Sequence, residues 1–183
     1  MSSLLSILLL LFIIALPIIL IHNKIITYFN ASQRAWADVI AQELQKNRVL
    51  PKLEEIVESF KLHESDILME TTKLRSAINQ ISAKDVDVDK LSELQQKTGA
   101  LINNLHAVAV NYPELKSADI FQKFMQELSE LEQNITASVR IYNRNVEQFN
   151  TAIEVFPNSF VNSMITKKER LDIFSDTQAA SGL

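Results

Sequence analysis

Hydrophobic residues fill the start of the chain almost without interruption and afterwards recur only every three or four positions. From Leu4 to Ile21 every residue is apolar except Ser6, with Pro17 late in the run. Eighteen residues at helical rise span roughly 27 Å, close to the hydrocarbon thickness of a bilayer. A cleaved secretory signal carries a basic residue ahead of its apolar stretch and small residues at the cleavage site. Met1-Ser2-Ser3 has no base, and Ile18-Ile19-Leu20-Ile21 is bulky, so a retained transmembrane anchor over residues 1–21 is expected.

Beyond the anchor the pattern changes to helical stripes. Nothing between Ile21 and Asn47 breaks a helix, so the first helix is expected to run on from His22 to about Lys46. Its stripe is Ile26, Phe29, Trp36, Ile40 and then Glu43 or Leu44. Pro51 disfavours helix at Leu50 and suits the first turn of a new one. The second helix is expected from Pro51 to Gln80, with Leu53, Ile56, Val57, Phe60, Ile67, Leu74, Ile78 and Ile81 inward. Glu54, Glu55, Glu58, Lys61, Glu70 and Lys73 form its outer face.

A polar break follows at Ser82 to Asp87, where Asp85 or Asp87 can cap the next helix. That third helix is expected from Val88 to Val110, on Leu91, Leu94, Thr98, Leu101, Leu105 and Val108. Asn111-Tyr112-Pro113-Glu114 ends it. The fourth helix is expected from Ala118 to Glu154, capped by Ser117. Its stripe comprises Phe121, Phe124, Leu128, Leu131, Ile135, Val139, Tyr142, Val146, Phe149 and Ile153. Alternating threes and fours make the seam of a packed bundle. The expected fold is all-α: a transmembrane helix continuing into an antiparallel four-helix bundle over residues 22–160. Residues 161–183 form a short tail, part helical through Phe174 and frayed from Thr177, which can lie along the membrane interface.

Composition narrows the function more than it identifies one. The 183 residues include only two glycines and four prolines, which favours long helices over sheets and hairpins. There is no cysteine, so disulfides, zinc–thiolate sites, iron–sulfur clusters and thiol nucleophiles are excluded. The net charge of −4, with no long basic run, speaks against nucleic-acid binding. His63-Glu64 lacks the second histidine of a zincin, because Ile67 stands there. Phe60 and Asn103 precede His63 and His106 by three, so no Glu-x-x-His pair exists for a di-iron site. No glycine-rich phosphate loop or nucleophile elbow appears. No enzyme activity, cofactor or metal is expected.

Several segments together carry a family resemblance. They are His22-Asn23 through Asn30 to Ala35-Trp36-Ala37-Asp38; Leu44, Arg48, Leu50-Pro51 and Leu53; and Asn111-Tyr112-Pro113-Glu114-Leu115-Lys116. Arg140-Ile-Tyr142-Asn143-Arg-Asn-Val146-Glu-Gln-Phe149-Asn150 and Phe156-Pro157 complete the set. In order and spacing they resemble the LemA family of bacterial membrane proteins, with departures at His22, Asn47 and Lys52. The resemblance implies an N-terminal membrane helix and an antiparallel helical domain, without supplying a reaction. Members are often encoded beside membrane metalloproteases, which implies such a protease as a partner.

Two further expectations concern geometry and place. Pairing the first and fourth helices so that Asn23 meets Asn150 and Asn30 meets Asn143 builds two polar layers and sets Trp36 against Ala137. Buried asparagines of this kind fix register. Arg140 then has Glu132, Glu147 or Asp38 in reach. Lys24, Arg34, Lys46 and Arg48 follow the anchor and no base precedes it. The positive-inside bias therefore puts the N-terminus outside the bacterial inner membrane and the body in the cytoplasm. The reading is a single-pass interaction or scaffold protein that binds a protein partner or self-associates. The alternative is an accessory or regulator of a membrane metalloprotease.

Overall fold

The computed structural model describes residues 2–60 and 65–175. Among the described residues every regular element is helical. The helices are α1 (Ser2–Val49), α2 (Pro51–Ser59), α3 (Ser65–Gln80), α4 (Val88–Asn111), α5 (Pro113–Ser117), α6 (Asp119–Glu154) and α7 (Asn158–Val161). A π-helical turn, Asn162–Thr166, follows α7.

The apolar N-terminal run and the segment after it form one helix, α1, with Pro17 inside it. The large apolar residues from Leu4 to Phe12 are each more than half exposed, and among the described residues no side chain of the apolar window is buried. By length and composition this part of α1 can cross a membrane. Further along the same helix one face closes. Ile25, Ser32, Ala35, Trp36, Val39, Ile40, Glu43 and Lys46 are buried, whereas Asn23, Lys24, Asn30, Arg34 and Asp38 are exposed. The inward residue in the first body turn is therefore Ile25, with the expected Ile26 only half-buried.

The chain divides into two units. The first comprises Met1–Ala35 and Ile141–Ile173. Its core is Ile25, Phe149 and Ile153, with Ile21, Tyr28, Phe29 and Leu171 packed around them. The rings of Phe29 and Phe149 meet edge to face at 5.5 Å, a favoured aromatic geometry.

The second unit comprises Trp36–Arg140 and Phe174–Leu183. All expected stripe residues of α4 and of this part of α6 are buried. Trp36 is fully buried, and its indole N–H donates to the Ser82 carbonyl at 2.9 Å. Polar ties join the outer faces: Lys52 to Glu127, Arg75 to Glu54, Asn104 to Glu70 and Asn47 to Asn79.

Three boundaries differ from expectation. The helix opened by Pro51 ends at Ser59, where the Ser59 hydroxyl and the Phe60 amide both turn back to the Ile56 carbonyl. The expected single helix from Pro51 to Gln80 is thus two. The motif His63-Glu64 and Lys61 lie outside the described residues, as does the tail beyond Ser175. Tyr112-Pro113 starts the short helix α5, with Pro113 at its first position. Ser117 caps nothing: its hydroxyl donates back to Glu114, and the Ala118 carbonyl accepts the first α6 bond from Gln122. Asp87 does cap α4, accepting from the Lys90 amide at 2.9 Å.

Candidate functional site

Past the π turn, residues 167–175 have no regular secondary structure, so their backbone groups need other partners. In the first unit those partners are side chains of the helices. The Asn162 amide donates to the Lys168 carbonyl at 2.9 Å, and its oxygen accepts the Lys168 N–H at 3.0 Å. Asn150 repeats the arrangement on Leu171, donating to its carbonyl at 2.9 Å and accepting its N–H at 3.0 Å. Tyr142 then donates its hydroxyl to the Asp172 carbonyl at 2.7 Å. An asparagine amide offers one donor and one acceptor side by side, which matches the N–H and C=O of a single extended residue.

The other contacts of this clasp are electrostatic and apolar. The Lys168 ammonium stands 3.7 Å from the centre of the Phe29 ring, a cation–π contact. Arg170 pairs with Glu154. His22 Nδ1 lies 3.1 Å from the Thr166 hydroxyl, bringing the π turn against the end of the anchor segment. Lys167, at φ 51°, reverses the chain there, and its amide closes the π turn on the Asn162 carbonyl. Burial, with the Asp172 carboxylate adding to it, pushes the Tyr142 hydroxyl well above the ordinary tyrosine range, so it stays a donor.

These contacts revise the asparagine layers. Asn150 is buried, but its amide is committed to Leu171, while Asn23 and Asn30 are exposed. The register differs as well. Phe29 meets Phe149, where the expected pairing gave Arg144. Lys46 meets Glu132, where it gave Glu127. Both show a shift of five residues along α6. Apolar faces set it: α1 brings Ile25 and Phe29 inward, and these pack with Phe149 and Ile153. Ala137, the expected small partner of buried Trp36, is exposed.

The remaining motif residues scatter. Pro51 opens α2, and Tyr112 and Pro113 open α5. Asp38, Arg48 and Arg140 are exposed, and no ion pair joins Arg140 to Asp38, Glu132 or Glu147. Asn143 is half-buried, and Phe156 and Pro157 are exposed, joined by a cis peptide bond.

A second cluster, inside the second unit, involves residues the sequence reading did not single out as a group. Lys46 is fully buried. Its ammonium donates to Thr98 Oγ1 and to Glu132 Oε1, both at 2.9 Å, and faces Glu43 Oε2 at 2.8 Å. Glu43 is also fully buried, and its Oε1 makes no hydrogen bond. Burial raises the Glu43 carboxyl above its ordinary value, against the pull of Lys46. One signal was available: Glu43 and Lys46 continue the spacing of Trp36 and Ile40, whereas Leu44 falls outside it and is exposed. Among the described residues no three His, Asp or Glu side chains converge as a metal site would require.

Among the described residues the protein is all-helical, with one N-terminal helix long and apolar enough to cross a membrane. The model of the LemA family matches residues 35–181. The chain belongs to that family. It is similar to Protein LemA of Metamycoplasma hominis (strain ATCC 23114 / DSM 25592 / NBRC 14850 / NCTC 10111 / PG21), with 28% identity over 155 residues. That match covers 84% of this chain and 66% of the relative, so the chain spans just under two-thirds of the relative's length.

Proposed function

We propose that this LemA-family chain is a membrane-anchored interaction protein that holds a protein partner, or further copies of itself, at the bacterial inner membrane. It carries no reaction of its own. The supporting observation is the change of character along α1: its first part is apolar and uncovered, and its later part supplies buried residues to a helical core. A lipid-facing helix has just that uniform exterior, and a core helix has a one-sided stripe. The body is an antiparallel four-helix bundle, a reading supported by the α1, α4 and α6 side chains that meet at Lys46 and by the seams of α3 and α4. Lys24 and Arg34, both exposed just past the anchor, favour a cytoplasmic body.

The test is photo-crosslinking in intact membranes from exposed apolar positions on the body. Val110, Ile120 and Ile141 serve as probe sites. The expected result is a small set of discrete adducts, identified by mass spectrometry. A second copy of the chain would make the role self-assembly, and a membrane metalloprotease would make it accessory to that enzyme. No adduct from any site, or recovery of the full-length protein in the soluble fraction, overturns the reading.

A further inference from the structure

The end of α6, α7 and the π turn leave a row of large apolar side chains uncovered. Phe156 is 86% exposed, Met164 64%, Phe160 62%, Ile165 51% and Val155 46%. These residues belong to the same unit as the anchor segment. The bond between His22 and Thr166 ties the π turn to the first polar residue after the apolar run. Ile21, the last residue of that run, packs on the core formed by Ile25, Phe149 and Ile153. Leu16, Ile19 and Leu20, all within two turns below His22, are themselves exposed. Lys24 and Lys167, also exposed, supply positive charge at the same level.

We infer that residues 155–166 form a second membrane contact, seated at the boundary between headgroups and acyl chains beside the anchor. The occupant is lipid. Continuity argues for it: an uncovered apolar surface tied by His22 to the end of a transmembrane segment adjoins the bilayer that segment occupies. Apolar side chains with flanking lysines match that boundary, where acyl chains meet anionic headgroups. The inference rests on the anchor reading and adds to it that the chain meets the membrane at two places.

The chain has no native cysteine, so single nitroxide labels can be placed on the full-length protein. Phe156→Cys, Phe160→Cys and Met164→Cys would be labelled after reconstitution into phosphatidylcholine–phosphatidylglycerol vesicles. Ile13→Cys is the lipid reference and Asn134→Cys the aqueous one. Collision rates with oxygen, which concentrates in lipid, and with a neutral nickel chelate, which stays in water, give the depth. The expected oxygen-to-nickel ratio at positions 156, 160 and 164 is several-fold above that at 134 and approaches that at 13. Ratios equal to those at 134 overturn the inference. So does protection from both agents, which would place a protein, either a partner or a second copy, over the patch. If position 13 itself reads as aqueous, the anchor reading has failed. Far-ultraviolet circular dichroism confirms that each labelled variant keeps its helices.

Discussion

Replacing Lys46 with methionine keeps most of the side-chain volume and removes the charge at the centre of the buried cluster. Three acceptors then lose a donor: Thr98, Glu132 and Glu43. Thr98 still donates its hydroxyl to the Leu94 carbonyl, and Glu132 is 26% exposed and can turn to water. Glu43 has no such relief, being fully buried with one oxygen already unbonded. Removing one partner of a buried ion pair costs about 3–5 kcal/mol, and Glu43 should carry most of that.

The pH dependence has a definite sign. The Glu43 carboxyl already titrates above its ordinary 4.5, and Lys46 is the group that holds it down. In Lys46→Met it rises further. A group raised in the folded state contributes stability below its unfolded value and loses it as pH climbs through the folded one. The deficit of Lys46→Met should therefore shrink from pH 7 to pH 5, by up to about 2.7 kcal/mol at 1.36 kcal/mol per unit. Trp36, the only tryptophan and fully buried in the same unit, reports unfolding by its emission in a urea titration of the detergent-solubilised protein. Adding Glu43→Gln to Lys46→Met should recover well over 0.5 kcal/mol, the usual limit of additivity. A deficit under about 1 kcal/mol at pH 7, no shrinkage toward pH 5, or strictly additive effects would refute the reasoning.

Other variants probe the remaining features. Asn150→Ala strands the N–H and C=O of Leu171 and should cost about 2 kcal/mol; limited trypsin digestion should cut faster after Lys168 and Arg170. Tyr142→Phe keeps the ring and removes the hydroxyl that donates to Asp172, so a smaller cost of about 1 kcal/mol and an intermediate digestion rate are expected. Asp87→Ala should lose about 1 kcal/mol at neutral pH, as caps do. Its bond from the Lys90 amide lowers the Asp87 carboxyl below 3.8, so the difference should fade as pH drops through that lowered value.

Much of the fold could be read from the chain because seam positions on α4 and α6 are apolar at nearly every step. From Leu91 to Val108 and from Phe121 to Ile153 the stripe and the buried face coincide. The reading was incomplete where an inward position was not apolar. Glu43 stood on the stripe only as an alternative to Leu44, and Lys46 was not placed inward, though both follow the spacing from Trp36. The register failed for a related reason. Pairing asparagines with asparagines assumed that their partner was another helix, whereas Asn150 pairs with backbone twenty-one residues further on. That backbone has no periodicity, so nothing in its pattern announces that it returns to α6. Asn162 was missed on the same ground. The end of α2 at Ser59 was not legible either, because Phe60 and Ile67 continue the apolar spacing of a single helix.

The hydrogen bonds that Asn162, Asn150 and Tyr142 make to residues 168–172 reach the main chain of Lys168, Leu171 and Asp172. Every amino acid except proline presents the same N–H and C=O. The two ends of these bonds therefore differ in their freedom to drift. Asn162, Asn150 and Tyr142 each need one particular functional group, while the hydrogen bonds place no demand on the identity of the residues they grip, beyond excluding proline at 168 and 171. The return segment could change its side chains, and with them the surface it displays, without losing its hydrogen-bonded place on the helices.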